Sequence, residues 1–469
     1  MTSSHTPRTR SLSRRPAVAG LVAISALGLV GLGGSPALAA NPGTTALTGQ
    51  TAGGVVNPSD YLSVTGATSY DDPAVAPLRV VPVSTSVQLV GALRTAKPGD
   101  RIVLAAGTYT GPFSANVSGT HAHPIVVAPA AAAAVTLTAT LSSPGCDATG
   151  PDADRTVSFT QGASHWVLQG LRIAGGVVVV SRNADNVQAW QSKAVNAHDW
   201  QARRSVPGAG SRDALAARTQ EQFFETMLGI GIAPSRGIQL LGNTITGKGI
   251  FGRMLTESVI SGNTVTDIAC GTGPGIWLAN YSRADVVSGN TVARVATSTA
   301  SHYMQEGIRF GNGSDYNAVV GNLVRDLPAN GRGITTDQDS SWNLITRNTV
   351  SAVDIAFNEQ QSGWGNTWSY NDADGARVSA YSFRMEDAGL TAPSPDTSSY
   401  QTLVRCNSAV GSTTDVQAGA LSGSEFSGNL VNTWSFGRML VGYWGSAGNL
   451  WNGSSSAPSV SSPVTTAGC

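Results

Sequence analysis

The chain has 469 residues, of which 41% are hydrophobic and 12% are charged, and its 29 basic residues balance 29 acidic ones. This length is enough for a large buried core. Without a basic excess, binding of nucleic acid is excluded as a main function. Three lysines occur, Lys97, Lys193 and Lys248, so few residues are available as a lysine base.

Residues 1–40 resemble an export signal. Four arginines precede an apolar run at 17–31, and a small-x-small cleavage site follows at 37–39. This order predicts a bacterial secretory signal rather than a membrane anchor, and the pair Arg14-Arg15 is compatible with the twin-arginine route. No later stretch is long and apolar enough to span a bilayer. We therefore expect a secreted protein with no membrane contact after cleavage.

A helix is predicted before the first strand. Residues 41–80 are rich in Gly, Thr, Ser and Pro and predict a linker or an irregular N-terminal cover. Ser86–Ala96 has apolar residues along one face, and Lys97–Asp100 (Lys-Pro-Gly-Asp) ends the helix. A strand follows at Arg101–Leu104. A helix here would close the open end of a stack of strands, which otherwise exposes an unpaired edge.

This first region resembles a known family. The run Ala92–Tyr109, continued by Ser118–Thr120 and Pro124–Val127, is similar to the first coil of secreted polysaccharide lyases of the chondroitinase B and alginate lyase type. The resemblance covers roughly residues 85–180 and implies a right-handed parallel β-helix. The Lys-Ser-x-x-Asn and Arg-His-Gly signatures of those lyases do not occur here, nor does the polygalacturonase pattern.

A repeated asparagine marks the middle of the chain. Each copy follows Gly or Arg and precedes a Thr or Leu and a β-branched residue: Asn243, Asn263, Asn290, Asn322 and Asn348. Repeats at this spacing without helical periodicity predict the stacked coils of an all-β, single-stranded parallel β-helix. Stacked Asn side chains can hydrogen-bond along such a coil. We expect this domain to span 81–469, with a helical insertion at about 198–233.

A second column of residues indicates where function lies. The interval from strand start to the next repeated Asn is nearly constant for Ile250, Ile276, Ile308 and Ile334, whereas the return from Asn to Ile varies widely. Stacked strands have fixed lengths, and projecting loops vary and commonly carry function. A fifth start is expected at Ile355. We predict a groove beside these strands, walled by loops near 266–275, 293–307 and 325–333.

Alternation within the strands supplies the candidate residues. The first and third positions after each Ile should face outwards. The predicted substrate-binding residues are Arg253, Trp277, His302, Arg309, Asn358 and Arg384. The predicted catalytic residues are Lys248, Tyr303, Glu306, Asp337 and Asp339. Arg309, Asp337, Asn358 and Arg384 are expected to cluster on the groove floor, and this density of charge is unusual in a chain with 12% charged residues.

Three functions fit this cluster. The first, favoured by the family resemblance, is β-elimination on a uronic-acid polymer, where a cation neutralises the sugar carboxylate and a base removes a carbon-bound proton. Arg309 or Arg384 could supply the cation. Ca²⁺ held by Asp337, Asp339 and Glu359 is the alternative. The candidate bases are Lys248, Tyr303 and His302.

The second function is glycoside hydrolysis or a fructotransferase-like glycosyl transfer, which requires two carboxyl groups. Glu306 or Asp337 paired with Asp339 or Glu359 could supply them. The third is non-catalytic carbohydrate binding, in which tryptophans such as Trp277 stack on sugar rings. In each case the partner is a polysaccharide and the protein a monomer.

Four cysteines, Cys146, Cys270, Cys406 and Cys469, are compatible with disulfides in an exported protein. They allow three pairings. We favour Cys406 with Cys469, because that bond would hold the C-terminal tail against the last coils.

Overall fold

The computed structural model describes residues 54–141, 155–180, 233–269, 273–296, 305–311, 313–337, 340–360, 363–383, 399–419, 421–436, 448–457 and 469. The predicted signal and nearly all of the predicted helical insertion at 198–233 lie outside the described residues. Among the residues described, no helix is long and apolar enough to cross a membrane.

The described strands, numbered β1–β38 in chain order, form three long parallel sheets. Sheet A stacks β1 (Arg79–Val83), β2 (Asp100–Leu104), β5 (Ile125–Pro129), β8 (Trp166–Gln169), β12 (Gln239–Leu241), β16 (Val259–Ser261), β19 (Val286–Ser288), β22 (Ala318–Val320), β25 (Leu344–Thr346), β28 (Thr367–Ser369), β32 (Leu403–Arg405), β36 (Glu425–Ser427) and β38 (Leu450–Trp451).

Sheet B stacks β3 (Gly107–Gly111), β6 (Val135–Ala139), β9 (Arg172–Ala174), β13 (Thr244–Gly247), β17 (Thr264–Ile268), β20 (Thr291–Val295), β23 (Leu323–Arg325), β26 (Thr349–Ser351), β29 (Asp372–Asp374) and β33 (Ser408–Val410). Sheet C stacks β4 (Phe113–Ala115), β7 (Val157–Phe159), β10 (Val177–Val180), β14 (Ile250–Arg253), β18 (Ile276–Ala279), β21 (Glu306–Gly311), β24 (Arg332–Thr336), β27 (Ile355–Glu359), β30 (Ser379–Phe383), β34 (Val416–Ala418) and β37 (Trp434–Phe436). Two short pairs complete the strands: β11 (Ser235–Arg236) with β15 (Leu255–Thr256), and β31 (Ser399–Tyr400) with β35 (Leu421–Ser422).

The three sheets wind into a right-handed parallel β-helix, as predicted. Each coil adds one strand to sheet A, then to sheet B, then to sheet C, as β16, β17 and β18 do. Parallel crossovers of this kind are right-handed in proteins. The loops of variable length join sheet B to sheet C, so they flank the first residues of the sheet C strands.

The register of sheet C confirms the first four predicted strand starts and corrects the fifth. Ile250, Ile276, Ile308 and Ile334 are paired in succession. Phe357 pairs with Ile334, and Ile355 pairs with Arg332 instead. The apolar pair at 355 and 357 offers two similar starts, and the predicted one is two residues early. Asn358 therefore lies beside Thr335 rather than above Asp337.

A helix covers the first coil, as predicted. It spans Ser86–Thr95, and the Thr85 side chain accepts a hydrogen bond from the backbone N–H of Gln88 as its N-cap. Its Leu89 and Leu93 are buried in the same core cluster as the first strands. The helix therefore covers apolar interior that would face solvent at this end.

The repeated asparagines form a hydrogen-bonded ladder at the corner between sheets A and B. Asn322 is typical: its backbone N–H and Nδ2 each donate to Oδ1 of Asn348 at 2.9 Å, and Nδ2 also donates to Val287 O at 2.9 Å. Asn371 and Asn407 continue the ladder to Asn429. The residue before each Asn has positive φ, which Gly adopts at least cost. Tyr370 and Cys406 replace Gly before Asn371 and Asn407, as Arg347 does before Asn348.

The N-terminal segment 54–75 covers the outer face of sheet A. It contains a 3₁₀ helix (Pro58–Tyr61) and the short helix Leu62–Thr65. Val56 and Tyr61 are buried in one cluster with Val286 and Ala318 of sheet A. At the other end, the disulfide Cys406–Cys469 forms as expected. Cys146 and Cys270 lie outside the described residues.

Candidate functional site

One row of side chains follows the outer face of sheet C. We call it the outer column, and it contains, in order of pairing, Phe251, Trp277, Arg309, Thr335, Asn358, Ser382 and Gln417. Its members face away from the core because their strand neighbours, such as Phe310 and Tyr381, belong to the core cluster. The sequence analysis did not identify Gln417, because the long connection after β30 obscures how β34 aligns with the preceding sheet C strands.

A buried charge cluster lies at the middle of the outer column. Arg309 Nη1 donates to Glu306 Oε2 at 2.7 Å, and Nη2 forms a short bond to Asp337 Oδ2. Glu306 is completely buried, and the Arg309 side chain is 14% exposed. Glu306 lies at the start of β21 and Asp337 directly follows β24 on the next coil. The structure thus brings together three of the predicted site residues.

The guanidinium of Arg309 is shared between two carboxylates. Burial alone would lower the pKa of Arg309, but the charges and hydrogen bonds of Glu306 and Asp337 outweigh burial and raise this pKa above its usual range. Arg309 is therefore a cation whose terminal nitrogens are both engaged by carboxylates.

An aromatic patch adjoins the cluster on its N-terminal side. The rings of Phe251 and Trp277 are 4.8 Å apart, and Arg309 Cζ lies 5.4 Å from the Trp277 ring centroid. Trp277 Nε1 and Arg309 Nε are buried and have no hydrogen-bond partner among the described residues. A Cβ at Gly311 would lie 3.4–3.5 Å from both nitrogens. Two unused donors thus face the space that the missing side chain of Gly311 leaves.

A polar stretch of the outer column lies on the C-terminal side. Thr335, Asn358 and Ser382 are completely buried. Within the part of the chain that the structure describes, Thr335 Oγ1, Ser382 Oγ and both polar atoms of Asn358 lack a hydrogen-bond partner. Buried polar side chains nearly always have partners, so a consecutive row without them is unusual.

Two other predicted residues lie apart from the cluster. Lys248 is 1% exposed at the corner between β13 and β14, and Arg253 is 2% exposed with its guanidinium 5.8 Å from the Phe251 ring. Both belong to the coil two positions before that of Glu306. Four further predicted residues lie outside the described residues: His302, Tyr303, Asp339 and Arg384.

Glu359 faces the interior of the coil, contrary to its expected place as a metal ligand. It pairs with Thr336, and its oxygens accept hydrogen bonds from Trp368 Nε1 at 2.8 Å and Thr402 Oγ1 at 2.7 Å. Burial raises the pKa of Glu359. A register difference of two residues does not change the face of a strand residue, so strand alternation places Glu359 on the inner face with Phe357 in either register.

The described residues do not fit the expected Ca²⁺ site. Asp337 is bonded to Arg309, and Glu359 is directed into the core. Within the described ranges, no group of three or more His, Cys, Asp or Glu residues could hold a metal ion.

Comparisons with known proteins found one family and several solved structures at low identity. Residues 162–383 match the family described as "Periplasmic copper-binding protein (NosD)". No curated protein matches the chain. Among solved structures, an alginate lyase from Paenibacillus sp. str. FPU-7 is 17% identical, with a TM-score of 0.40 over 80% of this chain and 98% of that one.

Two further solved structures are similar at comparable distance. A GH136 lacto-N-biosidase from Eubacterium ramulus is 10% identical, with a TM-score of 0.48 over 80% of this chain and 66% of that one. The pectate lyase Pel9A is 12% identical, with a TM-score of 0.43 over 75% and 80%. These neighbours include both lyases and a glycosidase, and at such identities they do not assign a reaction.

Proposed function

We propose that this protein is an exported carbohydrate-active enzyme that binds a polysaccharide along the outer column and cleaves its glycosidic bonds at Glu306 and Asp337. The observation that carries the proposal is the row Thr335, Asn358 and Ser382, buried and without partners beside a buried charge cluster. Leaving such groups unpaired costs free energy, and sugar hydroxyls both donate and accept hydrogen bonds.

The arrangement on either side of the cluster suits a sugar chain. Trp277 supplies an aromatic ring for stacking, and its Nε1, with Arg309 Nε, supplies two donors next to Gly311. The polar stretch then offers hydroxyl and amide groups without charge. A ligand that runs parallel to the helix axis would meet an aromatic ring, two carboxylates and a neutral polar row in succession.

The pairing of Arg309 favours glycoside hydrolysis or transfer over β-elimination. Its guanidinium is bonded to the carboxylates of both Glu306 and Asp337. Both terminal nitrogens of Arg309 are already engaged, and this leaves them unable to neutralise a sugar carboxylate without breaking an ion pair. Two adjacent carboxyl groups are what glycoside cleavage requires. We therefore infer a neutral polysaccharide as substrate.

Export is part of the proposal. The disulfide Cys406–Cys469 is typical of proteins that fold in an oxidising compartment. It agrees with the signal-like composition at 1–40.

The deciding experiment incubates the purified protein with neutral and uronic polysaccharides and measures reducing ends and ultraviolet absorbance together. Hydrolysis gives reducing ends alone, whereas β-elimination adds the absorbance of an unsaturated product. Retention on a polysaccharide column without either product would show a binding protein. Asp337→Asn should lower cleavage by at least a hundredfold, since acid–base groups contribute roughly 10²–10⁴ in rate.

The matched control is Asp326→Asn. Asp326 also pairs with an arginine, Arg325, but the side chains of Arg325 and Asp326 are 44% and 43% exposed. This variant should cleave at the wild-type rate. If Asp337→Asn also retained full activity, the charge cluster would not be the reaction centre.

A further inference from the structure

A second constellation lies at the corner between sheets C and A, away from the outer column. Ser69 and Asp71 belong to the N-terminal segment 54–75 that covers sheet A. His121 lies in the loop before β5, and His165 directly precedes β8. None of these four residues stood out in the sequence, because Asp71 and His165 are separated by 94 positions.

The contacts are directional. Ser69 Oγ lies 2.9 Å from His121 Nε2, and His121 Nδ1 lies 2.8 Å from Asp71 Oδ1. His165 Nδ1 lies 2.9 Å from the other carboxylate oxygen of Asp71. Asp71 is 5% exposed, and its backbone carbonyl accepts a hydrogen bond from Gln239 Nε2 at 2.6 Å. The segment is therefore fixed against the coil at this residue.

The carboxylate determines which nitrogen of His121 carries the proton. An ionised carboxylate only accepts hydrogen bonds, so the neutral imidazole must carry its proton on Nδ1. Nε2 then presents a lone pair to the Ser69 hydroxyl, which donates to it. This is the relation that defines a Ser-His-Asp triad, which is recognised by geometry and roles rather than by sequence position.

We propose that Ser69 and His121 form a second catalytic site that hydrolyses esters, with Asp71 as the positioning residue. Ser69 Oγ attacks the acyl carbon while its proton passes to His121 Nε2. The C–O bond to the alcohol breaks, and the alcohol leaves with that proton. Water then attacks the acyl-enzyme, giving up a proton through His121, and releases the carboxylic acid and free Ser69.

The surroundings indicate the class of ester. The His121 side chain is 53% exposed, so the site is open at the surface. An open site buries little of a long acyl chain, and this favours short acyl groups, such as acetyl, on an accessible alcohol.

The test uses the full mature chain, a fluorophosphonate probe and p-nitrophenyl acetate. The wild-type protein should form a phosphonyl adduct on Ser69, located by mass spectrometry of its peptides. Ser69→Ala should abolish this adduct and lower ester hydrolysis by at least a hundredfold, with an unchanged melting temperature. His121→Gln should also prevent the adduct.

The matched control is Ser164→Ala at the same corner. The Ser164 hydroxyl donates to Gly162 O at 2.8 Å and accepts the Arg236 N–H at 3.0 Å, so it bonds to backbone groups and to neither histidine. This variant should be labelled at Ser69 as the wild type is. The proposal would be overturned if the folded wild-type protein formed no adduct on Ser69, or if Ser69→Ala hydrolysed the ester as fast as the wild type. Asp71 would then have only the structural role of joining the N-terminal segment to the coil. These readouts involve no glycosidic bond and are independent of the polysaccharide assay.

Discussion

Two columns of buried polar side chains run along this β-helix, and they differ in one respect. In the asparagine ladder, Asn322 uses both ends of its amide in hydrogen bonds to neighbouring coils. In the outer column, Asn358 is equally buried, and its side-chain amide forms no hydrogen bond with any residue that the structure describes. Two asparagines of equal exposure thus differ in their hydrogen bonds: the Asn322 amide uses both of its ends, and the Asn358 amide uses neither within the described residues. We attribute the first to the stability of the coil and the second to binding.

The largest effect on stability is expected from the charged member of the outer column. Arg309→Ala would leave the carboxylate of Glu306 buried without a compensating charge, which typically costs about 3–5 kcal/mol. The melting temperature should fall markedly. Arg294→Ala serves as control, because Arg294 and its partner Asp267 are about half exposed, and it should melt near the wild-type temperature. Equal melting temperatures for both variants would contradict a buried ion-paired cluster.

The ladder should be the next most sensitive. Asn322→Leu removes the acceptor of two Asn290 donors and a donor to Val287 O. Each buried group left without a partner costs about 1–3 kcal/mol. Chemical denaturation should therefore show a clear loss in the free energy of unfolding. If the variant were as stable as the wild type, the asparagine ladder could not be distinguished from the outer column by its contribution to stability.

A pH dependence tests the buried carboxylate on the inner face of sheet C. Burial raises the pKa of Glu359 above its ordinary value of 4.5, so the folded state holds this proton more tightly than the unfolded state. The resulting stability is present below pH 4.5 and is lost as the pH rises through the raised pKa.

Glu359→Gln should reduce this loss. Between about pH 4 and pH 8, the melting temperature of this variant should fall less than that of the wild type. The difference should develop over the pH range in which the raised pKa of Glu359 lies. Burial also raises the pKa of Asp285, so part of the decrease in melting temperature with rising pH should remain in both proteins. Asp326→Asn, an exposed control, should follow the wild-type curve. Parallel curves for wild type and Glu359→Gln would show that Glu359 does not titrate in this way.

The smallest effect on stability is expected at Asn358. Asn358→Leu replaces an unpaired buried amide by an apolar side chain of similar size, so no hydrogen bond is lost and the free energy of unfolding should stay the same or rise. Binding of polysaccharide should weaken at the same time. A large loss of stability would indicate that the amide has a structural role, and the contrast with Asn322→Leu is the sharpest test of the comparison.

The sequence predicted the stack of coils but not the pairing of individual side chains. The constant interval from strand start to asparagine placed Ile308 and Ile334 correctly, because strand lengths in a coil are fixed. The same interval counted back from Asn371 would have led to Phe357 instead of Ile355. That rung was overlooked since Tyr370, rather than Gly, precedes it.

The candidate site was predictable only in part. Glu306, Arg309 and Asp337 were expected together, since charged residues are concentrated on one side of two successive coils. Whether the Asn358 side chain forms hydrogen bonds depends on atoms from other coils. The spacing of residues in the sequence does not predict this. The Ser69–His121–Asp71 constellation depends on a contact between the N-terminal segment and two distant loops, so periodicity gave no signal for it.

The unequal lengths of the two halves of each coil have an evolutionary consequence. From β14 to β28 the connection from sheet C to sheet A is nearly constant in length, whereas the connection from sheet B to sheet C varies. Insertions there would reshape the rim around Glu306 without altering which residues stack beneath it. Descendants of this protein could thus acquire new selectivity through loop length alone, while inheriting an unchanged scaffold.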